Sequence, residues 1–170
     1  FDMGGPINKV AYAFMLICVA QGVYTVVAIA AVGICVPPLG LGLATLIGRK
    51  NFSSEEREAG KAALVMGCVG VTEGAIPFAA ADPLRVIPSI MVGSACGTVT
   101  AALFGAQCYA GWGGLIVLPV VEGKLGYIAA VAVGAVVTAV CVNVLKSLAR
   151  KKVSQVDQKE DDLDLDFEMN

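Results

Sequence analysis

The sequence predicts an all-α membrane protein, a polytopic helical bundle with broken helices and at least one re-entrant hairpin. Apolar side chains make up 57% of the 170 residues, with a mean hydropathy of +0.78, whereas a soluble domain is about half apolar. The charged side chains concentrate at 49–61 and 146–168. Between these clusters lie apolar stretches that suit a hydrocarbon core about 30 Å thick, which roughly 20 helical residues cross.

The first apolar stretch, 10–33, predicts a spanning helix, because Gln21 is its only strongly polar side chain. Residues 34–48 are too few for an ordinary span, and Pro37 and Pro38 remove two backbone donors from them. The sequence therefore predicts a broken or partly inserted helix here. In lipid such a break is tolerated only where other protein or a water-filled cavity covers it.

The charged segment 49–61 predicts a solvated loop and the start of a helix. Ser53 or Ser54 is placed to cap that helix, whose first turn is acidic. The four basic side chains of the segment place it in the cytoplasm by the positive-inside rule. Only nine apolar residues, 62–70, follow, and nine residues are too few to cross a membrane.

Glu73 lies in the next segment, GVTEGAIPFAAADPLR, whose glycines and prolines predict a re-entrant hairpin that lines a polar site. A carboxylate at membrane depth costs roughly 2.5 to 3.5 kcal/mol, so Glu73 must face partners or a cavity. It could accept two hydroxyl hydrogen bonds from a sugar or take a hydroxyl proton during phosphoryl transfer. The alternative is a structural carboxylate that ties the hairpin together through backbone amides or lies near the interface.

Two further spans are predicted at 86–108 and 125–148, with a glycine-rich loop between them. Basic residues that follow the second span place the C-terminus in the cytoplasm. If the loop at 49–61 is also cytoplasmic, an even number of crossings must separate the two. The two spans supply that number, so the Glu73 segment enters and returns on one side.

The predicted organisation is a membrane part, 1–148, followed by a charged cytoplasmic tail, 149–170, that is disordered. The net charge of −2 comes mainly from this tail, so it indicates no nucleic-acid partner. The chain opens on Phe1 with a motif at the second residue, from which we expect that an N-terminal part of a longer protein is missing.

Other polar side chains are also candidates for a site. Asp82 and Arg85 could form a local ion pair, cap the following helix or belong to the site. Asp2, Asn8 and Lys9 cluster around glycines and a proline just before the first span. A plain helix-entry turn would explain the glycines and the proline, but not three hydrogen-bonding side chains beside an apolar wall.

The residue types that are missing restrict the chemistry. The chain has no histidine, so it cannot carry a phosphohistidine, a serine–histidine or cysteine–histidine nucleophile or a histidine metal site. It also lacks a GxxxxGK[ST] phosphate loop. The six cysteines lie in apolar runs and are interpreted as small buried hydrophobes. We expect no catalytic residue, metal or cofactor, and the energy must come from another domain or an ion gradient.

Three strings give the sequence a family resemblance: DMGGPINKVAYAF from residue 2, VPPLGLGLAT at 36–45 and GVTEGAIPFAAADPLRVIPSIMVGS at 70–94. Together they resemble the fructose family of phosphotransferase-system enzyme II, membrane component C. The resemblance covers about residues 2–148, the C-terminal half of such a component.

The resemblance implies a bacterial inner-membrane protein that takes up a sugar and presents it to a cytosolic domain B. The phosphocysteine of that domain phosphorylates the sugar, and its phosphate comes from phosphoenolpyruvate through carrier proteins and domain A. Related permeases are homodimers, and their substrate domain contains two re-entrant hairpins. The phosphoryl donor would therefore lie on another domain or subunit.

The resemblance also implies roles for particular residues. Thr72 and Glu73 would bind the sugar hydroxyls, with Asp2, Asn8 and Lys9 as neighbours. Trp112 stands where members of the fructose group tend to have histidine, and an indole can stack on a sugar but cannot shuttle a proton. The resemblance is therefore to a fructose-like branch, whose sugar need not be fructose.

Two other interpretations stay open at this point. One is a secondary sugar transporter in which Glu73 carries a coupling proton. The other is a structural membrane protein without transport, in which Glu73 has no ligand.

Overall fold

The computed structural model describes the backbone of residues 2–168 and the side chains of residues 2–150. The chain is all-α, as predicted, apart from one two-stranded ribbon. The α-helices are α1 Pro6–Ala20, α2 Tyr24–Ile47, α3 Ser54–Val69, α4 Ile76–Ala81, α5 Pro83–Leu103 and α6 Lys124–Glu168. Short 3₁₀ helices lie at Arg49–Asn51, Thr72–Ala75 and Leu115–Val120, and β1 Gln107–Cys108 pairs antiparallel with β2 Val121–Glu122.

Three helices form the centre of the bundle: α2, α5 and α6, whose apolar part is Lys124–Arg150. Each of them is long and apolar enough to cross a membrane. They pack closely, and a Cβ on Gly93 of α5 would lie only 1.8 Å from the Thr138 Oγ1 of α6. Small residues of this kind allow membrane helices to approach each other. The protein is a multi-pass membrane protein, as the sequence predicts.

The prediction of one helix over 10–33 is wrong, because the chain turns at Gly22. Gly22 has φ +77°, a left-handed conformation that ends a helix. The amides of Gly22 and Val23 donate to the carbonyls of Val19 and Cys18, at 3.1 and 2.9 Å. The turn is therefore a Schellman motif, and α1 and α2 form a helical hairpin.

The prediction of a broken helix over 34–48 is also wrong, because α2 continues through Pro37 and Pro38 to Ile47. Both prolines are buried, in a run of buried residues from Cys35 to Gly42. Packing on several sides keeps the backbone helical despite the two missing amide donors. Tertiary contacts have overridden the local preference of proline to end a helix.

Both charged clusters of the membrane part lie at one end of the bundle. The Ser53 hydroxyl accepts the Glu56 amide and the Glu56 carboxylate accepts the Ser53 amide, so Ser53 is the cap of α3. Lys146 of α6 pairs with Glu56, and the Arg150 guanidinium donates to the Lys50 carbonyl at 3.1 Å. The two clusters therefore share one side, as the parity argument requires. We call this end the charged end.

The segment after α3 returns toward the charged end, so the predicted hairpin is present. Gly74 packs on α3, and a Cβ on it would lie 3.2 Å from the Ala63 Cα. Further along, the rings of Phe78 in α4 and Phe52 before α3 meet edge to face, with centroids 6.3 Å apart. α3 is 16 residues long, about 24 Å at 1.5 Å per residue, and the chain turns back after it.

The ends of the last two helices differ from the predicted ones. The span predicted at 86–108 is α5, Pro83–Leu103, and the loop after it contains the ribbon and a 3₁₀ helix. The helix predicted to end at Leu148 continues to Glu168, because the polar residues that follow include no glycine or proline. That the segment 149–170 is cytoplasmic and disordered stays a prediction.

Candidate functional site

The tip of the hairpin presents the residues predicted to bind a ligand. α3 ends at Gly70, whose φ of +89° turns the chain, and the amides of Gly70 and Val71 both donate to the Met66 carbonyl at 2.9 Å. The 3₁₀ helix that follows begins with Thr72 and Glu73. The helix end therefore places these two side chains at the end of α3 opposite the charged end, where Thr72 is half-buried and Glu73 is exposed.

The N-terminal segment meets this tip. Asp2 caps α1, since its Oδ2 accepts the amides of Ile7 at 2.7 Å and Asn8 at 3.1 Å. Gly4 has φ +77°, and a Cβ on it would lie 2.9 Å from the Glu73 Oε1. Only glycine suits both this backbone and this contact, and it lets the Glu73 carboxylate lie against the start of α1.

One cavity of about 430 Å³ brings most of the predicted residues together. This volume lies within the range of roughly 300–1,000 Å³ found for small-molecule sites. Its wall includes Asn8, Lys9, Thr72, Glu73 and Trp112. Among the residues whose side chains are described, none donates to or accepts from the side chains of Asn8, Lys9, Thr72 or Glu73. We call this cavity the Glu73 cavity.

A second cavity of about 330 Å³ adjoins the first and shares Asn8, Tyr12, Ile34 and Thr72 with it. Asp2 lines this second cavity and not the first. The two cavities together form one continuous, mostly apolar surface with a few polar side chains beside the middle of α2.

A loop between α5 and α6 covers the hairpin tip on the side away from the charged end. The Trp112 indole N–H donates to the Val69 carbonyl, the last of α3, at 2.7 Å. The Trp112 ring lies edge to face with Tyr12, and the Tyr12 hydroxyl donates to the Gly111 carbonyl at 3.0 Å. The prediction that Trp112 belongs to this region agrees with its position, and the indole also has a structural partner.

The same loop is fixed to the bundle by its ribbon. The Tyr109 hydroxyl donates to Glu122 at 2.7 Å, and this hydrogen bond to a carboxylate raises the pKa of Tyr109. The ring of Tyr109 also packs on that of Tyr24 at the start of α2, with centroids 4.3 Å apart. The loop is therefore fixed to the bundle at its ribbon through Tyr109 and at the hairpin tip through Trp112.

Asp82 and Arg85 are not brought to the Glu73 cavity. They form an ion pair at 2.8 Å, which was one of the predicted alternatives. The Asp82 side chain makes no capping hydrogen bond to α5. Both line a larger cavity of about 710 Å³ at the charged end. Two of the three acidic side chains of that cavity, Asp82 and Glu56, have cationic partners in the structure. We therefore take the smaller Glu73 cavity as the candidate substrate site.

Sequence reasoning missed the contributions of α2, of the middle of α1 and of the loop between α5 and α6 to the site. Tyr12 and Ile34 line both adjoining cavities, and Gly113 lines the Glu73 cavity. The proline pair was a signal that could have found Ile34, because two prolines in a row release carbonyls one turn earlier.

Comparison with known proteins gives close relatives. The chain is 92% identical over its 170 residues to "Fructose-like permease IIC component 2" of Escherichia coli, of which it covers 47%. A "PTS system fructose-specific EIIB'BC component" of Xanthomonas campestris is 49% identical over 86% of the chain and 26% of that protein. A "PTS system fructose-specific EIIC component" of Haloferax volcanii is 41% identical over 85% of the chain and 39% of that protein.

The chain is therefore similar to membrane components C of the fructose phosphotransferase systems. The resemblance inferred from the three strings is thereby confirmed. No family model matches the chain, and no solved structure matches it. The chain spans less than half the length of each of these three relatives.

Proposed function

We propose that this chain is the substrate-translocating part of a phosphotransferase permease that carries fructose or a fructose-like sugar across the bacterial inner membrane. The sugar would be phosphorylated by a domain B that receives its phosphate through domain A. The chain would act as a homodimer with its C-terminus in the cytoplasm. Names of the relatives that join A, B and C designations support partners of these kinds.

The convergence of Asn8, Lys9, Thr72 and Glu73 on one cavity carries this proposal. These side chains come from two segments more than 60 residues apart and offer a carboxylate, an ammonium group, an amide and a hydroxyl. A sugar presents hydroxyl groups that both donate and accept, so it can use all four. Glu73 would be the principal ligand, because hydrogen bonds to a charged acceptor are the stronger ones.

Trp112 would provide the apolar part of the site. Its indole N–H is used by Val69, which leaves the ring to lie along a sugar face. Asp82 and Arg85 are not proposed as sugar ligands, because they lie at the other cavity. No residue of the chain would carry the phosphate.

The test uses membrane vesicles that contain the full-length protein and its phosphotransferase partners. We expect uptake of labelled fructose or of another hexose or polyol to require phosphoenolpyruvate and to survive an uncoupler of the proton gradient. Uptake that collapses with the uncoupler and ignores phosphoenolpyruvate would instead establish the proton-coupled transporter, which the names of the relatives do not favour.

The matched variants are Glu73→Gln and Glu58→Gln. Glu58 lies on the exposed side of α3 and pairs with Lys61, so its change should leave sugar binding as it is. Glu73→Gln should weaken binding about 100-fold while the protein still inserts and folds, because the negative charge is lost and one acceptor oxygen is replaced by a donor NH₂ group. Wild-type affinity in Glu73→Gln would refute the assignment of the site and favour a structural role.

A further inference from the structure

The proline pair of α2 leaves two backbone carbonyls without their helical partners. In a continuous helix the carbonyl of Gly33 would accept the amide of residue 37, and that of Ile34 the amide of residue 38. Both positions are proline and have no N–H. For Ile34 the alternative partner three residues on is Pro37, so that bond is also impossible. The Gly33 carbonyl has only the tighter bond from Val36 within reach.

No other element replaces these missing bonds. Within the part of the chain whose side chains are described, no hydrogen bond from outside α2 ends on the carbonyl of Gly33 or Ile34. An acceptor without a partner is costly within a membrane, and non-ideal backbone is tolerated there where it lines a cavity. α2 is helical throughout, yet two of its backbone hydrogen bonds are absent near the middle of the span.

Gly33 and Ile34 lie on the face of α2 that borders the candidate site. Ala30, Gly33, Ile34 and Pro37, at helical spacing, line the 330 Å³ cavity together with Thr72. Ile34 also lines the Glu73 cavity. Gly33 has no side chain to cover the backbone on this wall.

We propose that the carbonyls of Gly33 and Ile34 accept hydrogen bonds from hydroxyl groups of the sugar bound beside Glu73. This inference rests on the proposed function and extends its binding site to α2. Sugar hydroxyls can donate hydrogen bonds, and the released carbonyls of α2 can accept them. The helix holds these carbonyls in a fixed orientation. Pro37 and Pro38 are then positioning residues, because they keep these acceptors available.

The experiment restores the missing amides in the full-length protein and measures the affinity for labelled fructose, or for the preferred sugar found above. Pro38→Ala returns an N–H to the Ile34 carbonyl, and Pro37→Ala returns one to the Gly33 carbonyl. We expect each change to weaken binding roughly fivefold to tenfold, as for one lost hydrogen bond. Alanine favours the helix over proline, so stability should be kept or raised.

Pro88→Ala is the matched control, because Pro88 also lies inside a helix, α5, but borders neither of the two adjoining cavities. It should leave the affinity unchanged. Wild-type affinity in both Pro37→Ala and Pro38→Ala would overturn the inference. An equal loss in Pro88→Ala would overturn it too, because the effect would then be a general one of helix stiffness.

Sugar analogues that each lack one hydroxyl give a second measurement. The analogue that lacks the hydroxyl bound by the Ile34 carbonyl should bind the wild type more weakly and should bind Pro38→Ala no more weakly than the complete sugar does. Equal penalties for every analogue in both proteins would refute the contact even if Pro38→Ala were poorly folded. If no sugar binds the wild type, the proposed function itself fails. If sugar binds and depends on Glu73 alone, only the inference fails.

Discussion

Helix α3 has a glutamate at each end, and the two carboxylates have opposite surroundings. Glu56, in the first turn, accepts the Ser53 amide at 2.8 Å and pairs with Lys146, whose ammonium also lies 4.2 Å from the centroid of the Phe52 ring. The carboxylate of Glu73, just past the last turn, makes no hydrogen bond to any residue whose side chain is described. At the start of the helix the carboxylate is bound by other residues of the chain, and we call this the fastened end. At the other end the carboxylate is available to a ligand.

The difference separates structure from binding in a chain with few charges. At the charged end the polar groups satisfy each other, as the Asn51 amide does when it donates to the Asn143 Oδ1 at 3.1 Å. In the Glu73 cavity the side chains of Asn8, Lys9, Thr72 and Glu73 have no such partners among the residues whose side chains are described. A ligand with hydroxyl groups would supply hydrogen-bond partners in the Glu73 cavity, whereas the polar groups at the charged end already have partners.

The largest effect on stability is expected from Glu56→Gln. Lys146 has a side chain only 9% exposed, so removal of its counter-charge leaves a largely buried cation without a partner. Such a loss costs about 3 kcal/mol in proteins. Thermal unfolding of the purified protein in detergent should show a clear fall in Tm, while the affinity for sugar in the folded protein stays the same.

Glu58→Gln is the control for that prediction, because its pair with Lys61 is exposed and contributes less than about 1 kcal/mol. A Glu56→Gln protein that kept its stability but lost sugar binding would contradict the comparison, since the fastened end would then take part in binding.

The next effect is expected from Gly4→Ala, which changes the cavity without removing any polar group. The new methyl group would lie 2.9 Å from the Glu73 Oε1, so the carboxylate must move. We expect the sugar affinity to fall about tenfold, measured by equilibrium binding, which corresponds to about 1.4 kcal/mol.

Gly22→Ala is matched to this change, because Gly22 has the same φ of +77° and open space around it. Both variants should lose stability to a similar degree from the strained backbone, on the order of 1 kcal/mol. Only Gly4→Ala should lose affinity, and an equal loss in the two would show that the contact with Glu73 has no part in it.

The comparison also shows which parts of the molecule could be predicted from the sequence. The hairpin followed from two general limits, the length that a helix needs to cross a membrane and the side on which basic residues lie, and neither depends on packing. The charged end followed in the same way. Glu73 could be singled out because a carboxylate in an apolar chain is costly wherever it lies.

What could not be predicted was decided by tertiary contacts. The hydropathy of 10–33 conceals the turn at Gly22, since one glycine in an apolar run is common in membrane helices. Pro37 and Pro38 predicted a break in the helix, yet the packing around them keeps α2 continuous. Asp82 and Arg85 are close in sequence to Glu73, but the return of the hairpin carries them to the other end. Closeness in sequence therefore did not predict closeness in the structure for these residues.

A smaller effect is expected from Trp112→Phe. The change removes the indole N–H that donates to the Val69 carbonyl at 2.7 Å, and it keeps an aromatic ring beside Tyr12. We expect a loss of about 1 kcal/mol in the free energy of unfolding. The sugar affinity should fall by roughly threefold as the loop loosens over the hairpin tip.

Tyr109→Phe serves as the control for the loop. It removes the hydrogen bond to Glu122 at 2.7 Å, at the ribbon and outside the Glu73 cavity. An equal loss of affinity in the two variants would mean that order in the whole loop, and not the bond at the hairpin tip, supports the site.

The smallest effect is expected from Asp2→Asn, which tests whether this residue belongs to the fastened or to the binding region. Asp2 accepts two amides at the start of α1, a position where a negative charge also favours the helix dipole. Asparagine keeps an acceptor but loses the charge, so the loss in stability should be about 0.5 kcal/mol. If Asp2 only caps α1, equilibrium binding should show a change in sugar affinity of less than about twofold, the effect of a helix start that is slightly less ordered. A tenfold loss of affinity with unchanged Tm would instead place Asp2 among the sugar ligands, and the boundary between the two regions would then run through the cap of α1.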